Sequence, residues 1–144
     1  MNDFRKLSEL VFASPQITVD DVDEAKRLGI RLIVNNRPEG EAPDQTPGHV
    51  IKTAAEKIGL DYLAIPISHT GFTESQVSSM AVALRETRGP VLAYCRSGTR
   101  STFLWSLAQA KMGADPTELT SAARQAGYDI TSIRPILDNI AGGD

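Results

Sequence analysis

Two rhythms of apolar and polar residues alternate along the 144-residue chain. Short apolar runs at 10–13 (LVFA), 30–34 (IRLIV), 61–65 (DYLAI) and 90–94 (PVLAY) read as buried strands. Between them apolar residues recur three and four apart, the spacing of helices with one buried face. Val22, Ala25 and Leu28 make the first stripe, behind a Thr18–Asp21 capping box and ahead of a stop at Gly29. Val50, Ile51, Ala54, Ala55 and Ile58 make a second, ended by Gly59. Thr73 and Gln76 cap a third, which carries Val77, Met80, Ala81 and Leu84. Residues 100–112 read as a fourth helix, with Phe103, Leu104, Leu107 and Ala108 inward and Trp105 at the edge of that face, under the preceding loop. Asp115-Pro116 opens a fifth, lined by Leu119, Ala122, Ala123 and Ala126 and closed by Gly127. A last short helix covers 132–140, where Pro135 falls in the first turn.

This alternation predicts an α/β fold: one domain over 1–144, built as a small, mainly parallel sheet flanked by helices. Sites in such sheets lie beyond the carboxyl ends of the strands. Three loops leave those ends, at 35–47, 66–72 and 95–100.

Charge and composition narrow the partners. A net charge of −3 and an isoelectric point near 5.4 argue against a general binder of nucleic acid or anionic membrane, so attraction for an anion must be local. The chain has no signal-peptide pattern at its start and no run near the roughly 20 apolar residues of a membrane helix. With Cys95 as the one cysteine, no internal disulfide forms, which suits a reducing cytoplasm. His49, near a helix start, reads as structural, and His49, His69 and Cys95 lack metal-ligand spacing; neither metal nor cofactor is expected.

The chemistry concentrates in Cys95-Arg96-Ser97-Gly98-Thr99-Arg100, between a strand and a helix. Gly98 permits the positive φ of a tight concave loop, which turns backbone N–H groups inward. The helix that follows adds unpaired N–H donors and the positive end of its dipole. Arg100 offers a guanidinium fork to an oxyanion, and Arg96 adds charge. Ser97 contributes to the same loop, while Thr99 or Ser101 can donate to the anion or to the sulfur. The field that holds an anion also stabilises a thiolate, so Cys95 reads as a nucleophile for phosphorus or sulfane sulfur. Nearby, Arg37 either adds charge to the site or pairs with Glu41 to order its own loop. Asn35 and Asn36 read as caps on strand-end backbone groups. His69 is the candidate acid of the 66–72 loop, where no Asp or Glu lies between Ile65 and Thr73.

The segment YCRSGTRS resembles the active-site loop of single-domain rhodanese sulfurtransferases, which has six residues and arginine last. It is also similar to the HCxxGxxR[ST] loop of tyrosine and dual-specificity phosphatases. Here four residues separate Cys95 from Arg100 instead of five, and Tyr94 replaces the histidine. The succession QITVDD (16–21), VNNRPEGE (34–41), IPISHTGFT (65–73) and GPVLAYCRSGTRS (89–101) resembles the phosphatase-like domain of beta-lactamase hydrolase-like proteins, the DUF442 family. That resemblance implies a fold like the dual-specificity phosphatases and a label shared between sulfur transfer and phosphate-ester hydrolysis. It also implies a functional link to a sulfur dioxygenase, fused to this domain in some members and separate here.

Three functions follow. The short loop, Tyr94 and the missing aspartate put first a sulfurtransferase that carries a persulfide on Cys95, fed by thiosulfate or another persulfide donor. The alternative is a phosphatase working through a phosphocysteine on small phosphate esters. A non-catalytic module that binds an oxyanion or a phosphorylated partner is the third.

Overall fold

The computed structural model describes residues 2–68 and 70–142. Five strands form one sheet: β1 (Arg5–Lys6), β2 (Val11–Ser14), β3 (Leu32–Asn35), β4 (Asp61–Ala64) and β5 (Val91–Tyr94), in the order β1-β2-β5-β3-β4. The last four run parallel, and β1 pairs with β2 antiparallel at one edge. β1 carries only Arg5 and Lys6, a polar pair without apolar alternation, so no pattern along the chain announces it.

Among the described residues six helices cover the sheet: α1 (Val19–Arg27), α2 (Gly48–Lys57), α3 (Glu74–Glu86), α4 (Thr99–Lys111), α5 (Pro116–Gln125) and α6 (Arg134–Gly142), the last entered through a 3₁₀ turn at Thr131–Ile133. The period-2 alternation of strand side chains divides them into two layers. Val11, Ala13, Leu32, Val34, Val91 and Ala93 face one core, shared with residues of α3 to α6. Ile33, Leu92 and Tyr94 face the other, with Ile17 and residues of α1 and α2.

Two helices differ from the single-stripe expectation. Leu28, placed on the buried face of α1, is the C-cap residue and is 51% exposed, because the helix has already turned away towards Gly29. α4 is buried nearly all round: Ser101, Thr102, Trp105 and Ser106 are as covered as Leu104 and Ala108. It lies between the sheet and α3, α5 and α6, and a helix packed on several sides cannot show one stripe.

Register places the site. Ser14 pairs with Tyr94, Tyr94 with Asn35, and Asn35 with Ala64, so four parallel strands end in one row. The loops leaving that row converge on one edge. They include the three expected from sequence and a fourth, the segment after β2 that carries Gln16.

Candidate active site

Cys95 is the first residue past β5 and is fully buried. Its N–H is tied to the Ser14 carbonyl at 3.3 Å, which continues the β2–β5 ladder by one residue. Two bonds from the loop's far side then shape the turn. The Gly98 N–H donates to Cys95 Sγ at 3.1 Å, and the Tyr128 hydroxyl donates to the Ser97 carbonyl at 3.3 Å. Gly98 has φ +98°, and a Cβ there would overlap the Tyr128 hydroxyl. Glycine is therefore required twice at this position, for conformation and for room.

Gly98 is also the N-cap of α4, and it supplies no capping side chain. Thr18, Thr73 and Asp115 cap their own helices, and the Glu39 carboxylate accepts from the Gly48 N–H at the start of α2. At α4 the N-cap brings no side chain; among the described residues only the Thr99 N–H is taken, by Ser97 Oγ, so the N–H groups after it and the positive end of the helix face the cysteine loop. That is the arrangement of an anion site.

Arg100 stands over this opening on the first turn of α4. Its Nη1 donates to Glu41 Oε2 at 2.7 Å and to the Ile67 carbonyl at 2.7 Å, and its Nη2 donates to Glu41 Oε1 at 2.8 Å. Glu41 Oε1 also accepts from Arg37 Nε at 2.9 Å, and Arg37 Nη1 donates to Gln16 Oε1 at 3.0 Å. One carboxylate thus holds two guanidinium groups. The Arg100 fork, with weaker help from Arg37, holds the Glu41 carboxyl down to about 2, against the burial that opposes it. Glu41 in turn raises the Arg100 guanidinium above its ordinary value, with Cys95 adding to the effect.

The remaining residues singled out from the sequence scatter around the loop. Arg96 and Ser97 are exposed on the loop's outer rim; the Ser97 hydroxyl donates to Thr99 Oγ1 at 3.0 Å and accepts from the Thr99 N–H. The Ser101 hydroxyl is buried and donates to Asn36 Oδ1 at 2.8 Å, not to the anion or the sulfur expected from sequence. Arg37 is buried inside its own loop and reaches the site through Glu41. His69 lies outside the described residues. Tyr94 points to the opposite face of the sheet, where burial pushes its hydroxyl up.

Asn36 joins the pieces. Its N–H donates to the Tyr94 carbonyl, its side-chain amide donates to the Ile65 carbonyl, and its own carbonyl accepts from the Ile67 N–H. Together with the bond from Ser101, this fixes the ends of β3 and β5, the 65–67 segment and α4 relative to one another. Two contributors were missed from sequence. Tyr128 gave no signal, being 30 residues beyond Gly98 on the far side of α5. Glu41 was visible only as a partner for Arg37 four residues away, whereas its second partner is 59 residues distant. Among the described residues, no three His, Cys, Asp or Glu side chains gather as a metal site, and no helix is long and apolar enough to cross a membrane.

Comparison with known proteins adds to this geometry. Residues 3–112 match the family described as beta-lactamase hydrolase-like protein, phosphatase-like domain. Beta-lactamase hydrolase-like proteins of Xylella fastidiosa Temecula1 and Agrobacterium fabrum C58 are 33% and 30% identical, over 86% and 87% of this chain. The match spans 29% of the length of each of those relatives. A crystal structure from Neisseria meningitidis Z2491, described as that of a phosphatase candidate, is 32% identical with a TM-score of 0.85, covering 97% of this chain and 99% of that one. The fold extends to cysteine phosphatases: Tk-PTP in its active form has a TM-score of 0.73 at 19% identity, covering 99% of this chain and 98% of its own. The α/β sheet flanked by helices is therefore that of the cysteine phosphatases, and the chain belongs to the family of phosphatase-like domains of beta-lactamase hydrolase-like proteins.

Proposed function

We propose that the protein hydrolyses phosphate esters through a phosphocysteine on Cys95. The observation that carries this reading is the α4 N-terminus, left without a capping side chain beside Cys95 and under the Arg100 fork. The crystal structure 32% identical to this chain and described as that of a phosphatase candidate supports the ester over sulfur transfer, which the short loop, Tyr94 and the missing aspartate put first.

In this mechanism the loop N–H groups and the α4 dipole bind the phosphoryl oxygens, and Arg100 turns part of its fork from Glu41 to them. The Cys95 thiolate attacks phosphorus; the S–P bond forms as the P–O ester bond breaks, and the leaving oxygen takes a proton from water. A second water then attacks phosphorus, the S–P bond breaks, and inorganic phosphate leaves with the thiolate restored. The Gly98 N–H, already on Sγ, stabilises that thiolate before and after turnover. Glu41 stays a carboxylate at neutral pH, so it serves as a partner to arginine and not as the leaving-group acid. Esters with weakly basic leaving groups, such as aryl phosphates, are accordingly the expected substrates. Phosphotyrosine is bound by the C132S variant of Pseudomonas aeruginosa TpbA, a relative in fold at a TM-score of 0.58.

One observation favours a second reading. With four residues between Cys95 and Arg100, the cradle is smaller than that of the phosphatases, and a single sulfur atom needs less room. Intact mass separates the two. Quenched turnover of an aryl phosphate should leave a phosphoryl adduct on the wild type, with steady-state hydrolysis that Cys95→Ser lowers by at least about a thousandfold. A gain of one sulfur from thiosulfate, removable by cyanide, with no ester hydrolysis would instead establish persulfide transfer.

A further inference from the structure

α4 connects the anion site to a second feature. Arg100, Phe103, Leu107 and Lys111 recur at three- and four-residue steps, so they share one face of the helix. Phe103 meets Phe72 of the rim loop in a tilted pair, with ring centroids 6.0 Å apart. Beyond that pair a groove of about 660 Å³ opens between the rim loop, α3 and α6, with Leu107 and Lys111 from α4 in its lining. Its size is that of a small-molecule site.

The walls are mostly apolar, with Glu74 and Lys111 as the charged side chains among them. Phe72, Val77, Leu107, Ile136 and Ile140 line it, and Ile136 is left 49% exposed, one of few large apolar side chains so uncovered. Two strands of structure tie the groove to Cys95. The Ile67 carbonyl receives Arg100, and three residues further along the same loop Thr70 enters the groove lining. Along α4, seven residues separate Arg100 from Leu107, about 10 Å of helix rise. The basic group, the aromatic pair and the apolar trough thus lie in line.

We propose that this groove takes the apolar body of the substrate. The ligand it fits is an amphiphilic anion, with its charged head on the cysteine loop and an alkyl or aryl tail running over Phe72 and Phe103 towards Lys111. The inference rests on the anion site of the proposed function and adds the class of molecule attached to the anion.

The test is binding of ethyl-, butyl-, hexyl- and octylphosphonate to the Cys95→Ser protein by calorimetry, since a phosphonate has no ester bond to break. Affinity should rise by about three- to fourfold per methylene until the groove is filled. Ile136→Asp, on the exposed wall, and separately Ile140→Asp should each remove at least about tenfold from the octyl affinity and leave the ethyl affinity unchanged. A flat series, no binding at any length, or a chain-length gain that survives both substitutions overturns the proposal. Turnover of a small aryl phosphate by the wild type is the independent readout. Hydrolysis with a flat phosphonate series removes the groove alone, whereas a steep series without hydrolysis removes the reaction and keeps the groove.

Discussion

The cysteine loop and the strap at residues 37–45 meet at one guanidinium, yet they are built in opposite ways. Within the loop, cysteine, glycine and arginine lie within six consecutive residues, and backbone groups do most of the holding. The strap is a turn tied to itself by side chains: Glu41 N–H and the Pro38 carbonyl both bond the Gln45 amide, while Arg37 spans from Glu41 to Gln16. One region supplies donors without a carboxylate, and the other delivers a carboxylate to their arginine. Arg100 belongs to both, so any ligand that takes its fork competes with a carboxylate already there.

Arg100→Lys breaks that shared element most directly. Lysine keeps the charge but loses the planar fork, so it cannot hold Glu41 and an oxyanion in parallel. We expect kcat/KM on an aryl phosphate to fall by about 10²–10³, the range for losing an oxyanion donor. Steady-state kinetics check this. A fall of less than about threefold would mean that the loop amides alone carry the anion.

The same contrast explains what could be read before any coordinates. Cys95, Gly98 and Arg100 were legible because their chemistry is contiguous, and the α/β frame was legible because strand and helix periods alternate cleanly. Glu41 was half-legible: its i,i+4 spacing to Arg37 is visible in the chain, but the pairing with Arg100 exists only once β3 and β5 lie side by side. Ser101 misled for a related reason. A hydroxyl in the loop motif suggests an anion donor, whereas the turn of α4 carries it inward to Asn36. Periodicity failed where burial has no single side, as in α4, and where a strand has two polar residues, as in β1.

Glu41→Gln sharpens the comparison from the strap's side. Losing the negative charge frees both arginines, so phosphate or vanadate should bind the Cys95→Ser background about tenfold more tightly. Weaker binding would mean that Glu41 orients the fork more than it competes for it. Stability carries a second signature. The folded carboxyl is held at about 2, below its ordinary 4.5. The stabilisation is therefore complete above pH about 4.5 and is lost as pH falls towards 2, an effect that solvent screening of this exposed carboxyl reduces to the order of 1 kcal/mol. Urea midpoints of the wild type should decline across that window, and Glu41→Gln should flatten the decline while lowering the midpoint at pH 7.

Tyr128 offers the smallest test and separates shape from hydrogen bonding in the cysteine loop. Gly98→Ala would place a methyl group at φ +98° and against the Tyr128 hydroxyl, so it should cost about 1–3 kcal/mol and most of the activity. Tyr128→Phe leaves that glycine alone. It removes one long bond, 3.3 Å to the Ser97 carbonyl, while the ring keeps its position under the Arg5 guanidinium at 5.4 Å. The expected loss is about 0.5–1 kcal/mol in a urea titration, with kcat/KM within about threefold of the wild type. The loop's form comes from its own backbone, from the Gly98 N–H on Sγ and the Cys95 N–H on Ser14, and these survive the substitution. A drop in kcat/KM beyond about tenfold, without matching instability, would mean that the hydroxyl sets the orientation of the 97–98 peptide. The N–H on Cys95 Sγ would then depend on a residue outside the contiguous motif, and the cysteine loop would be as composite as the strap.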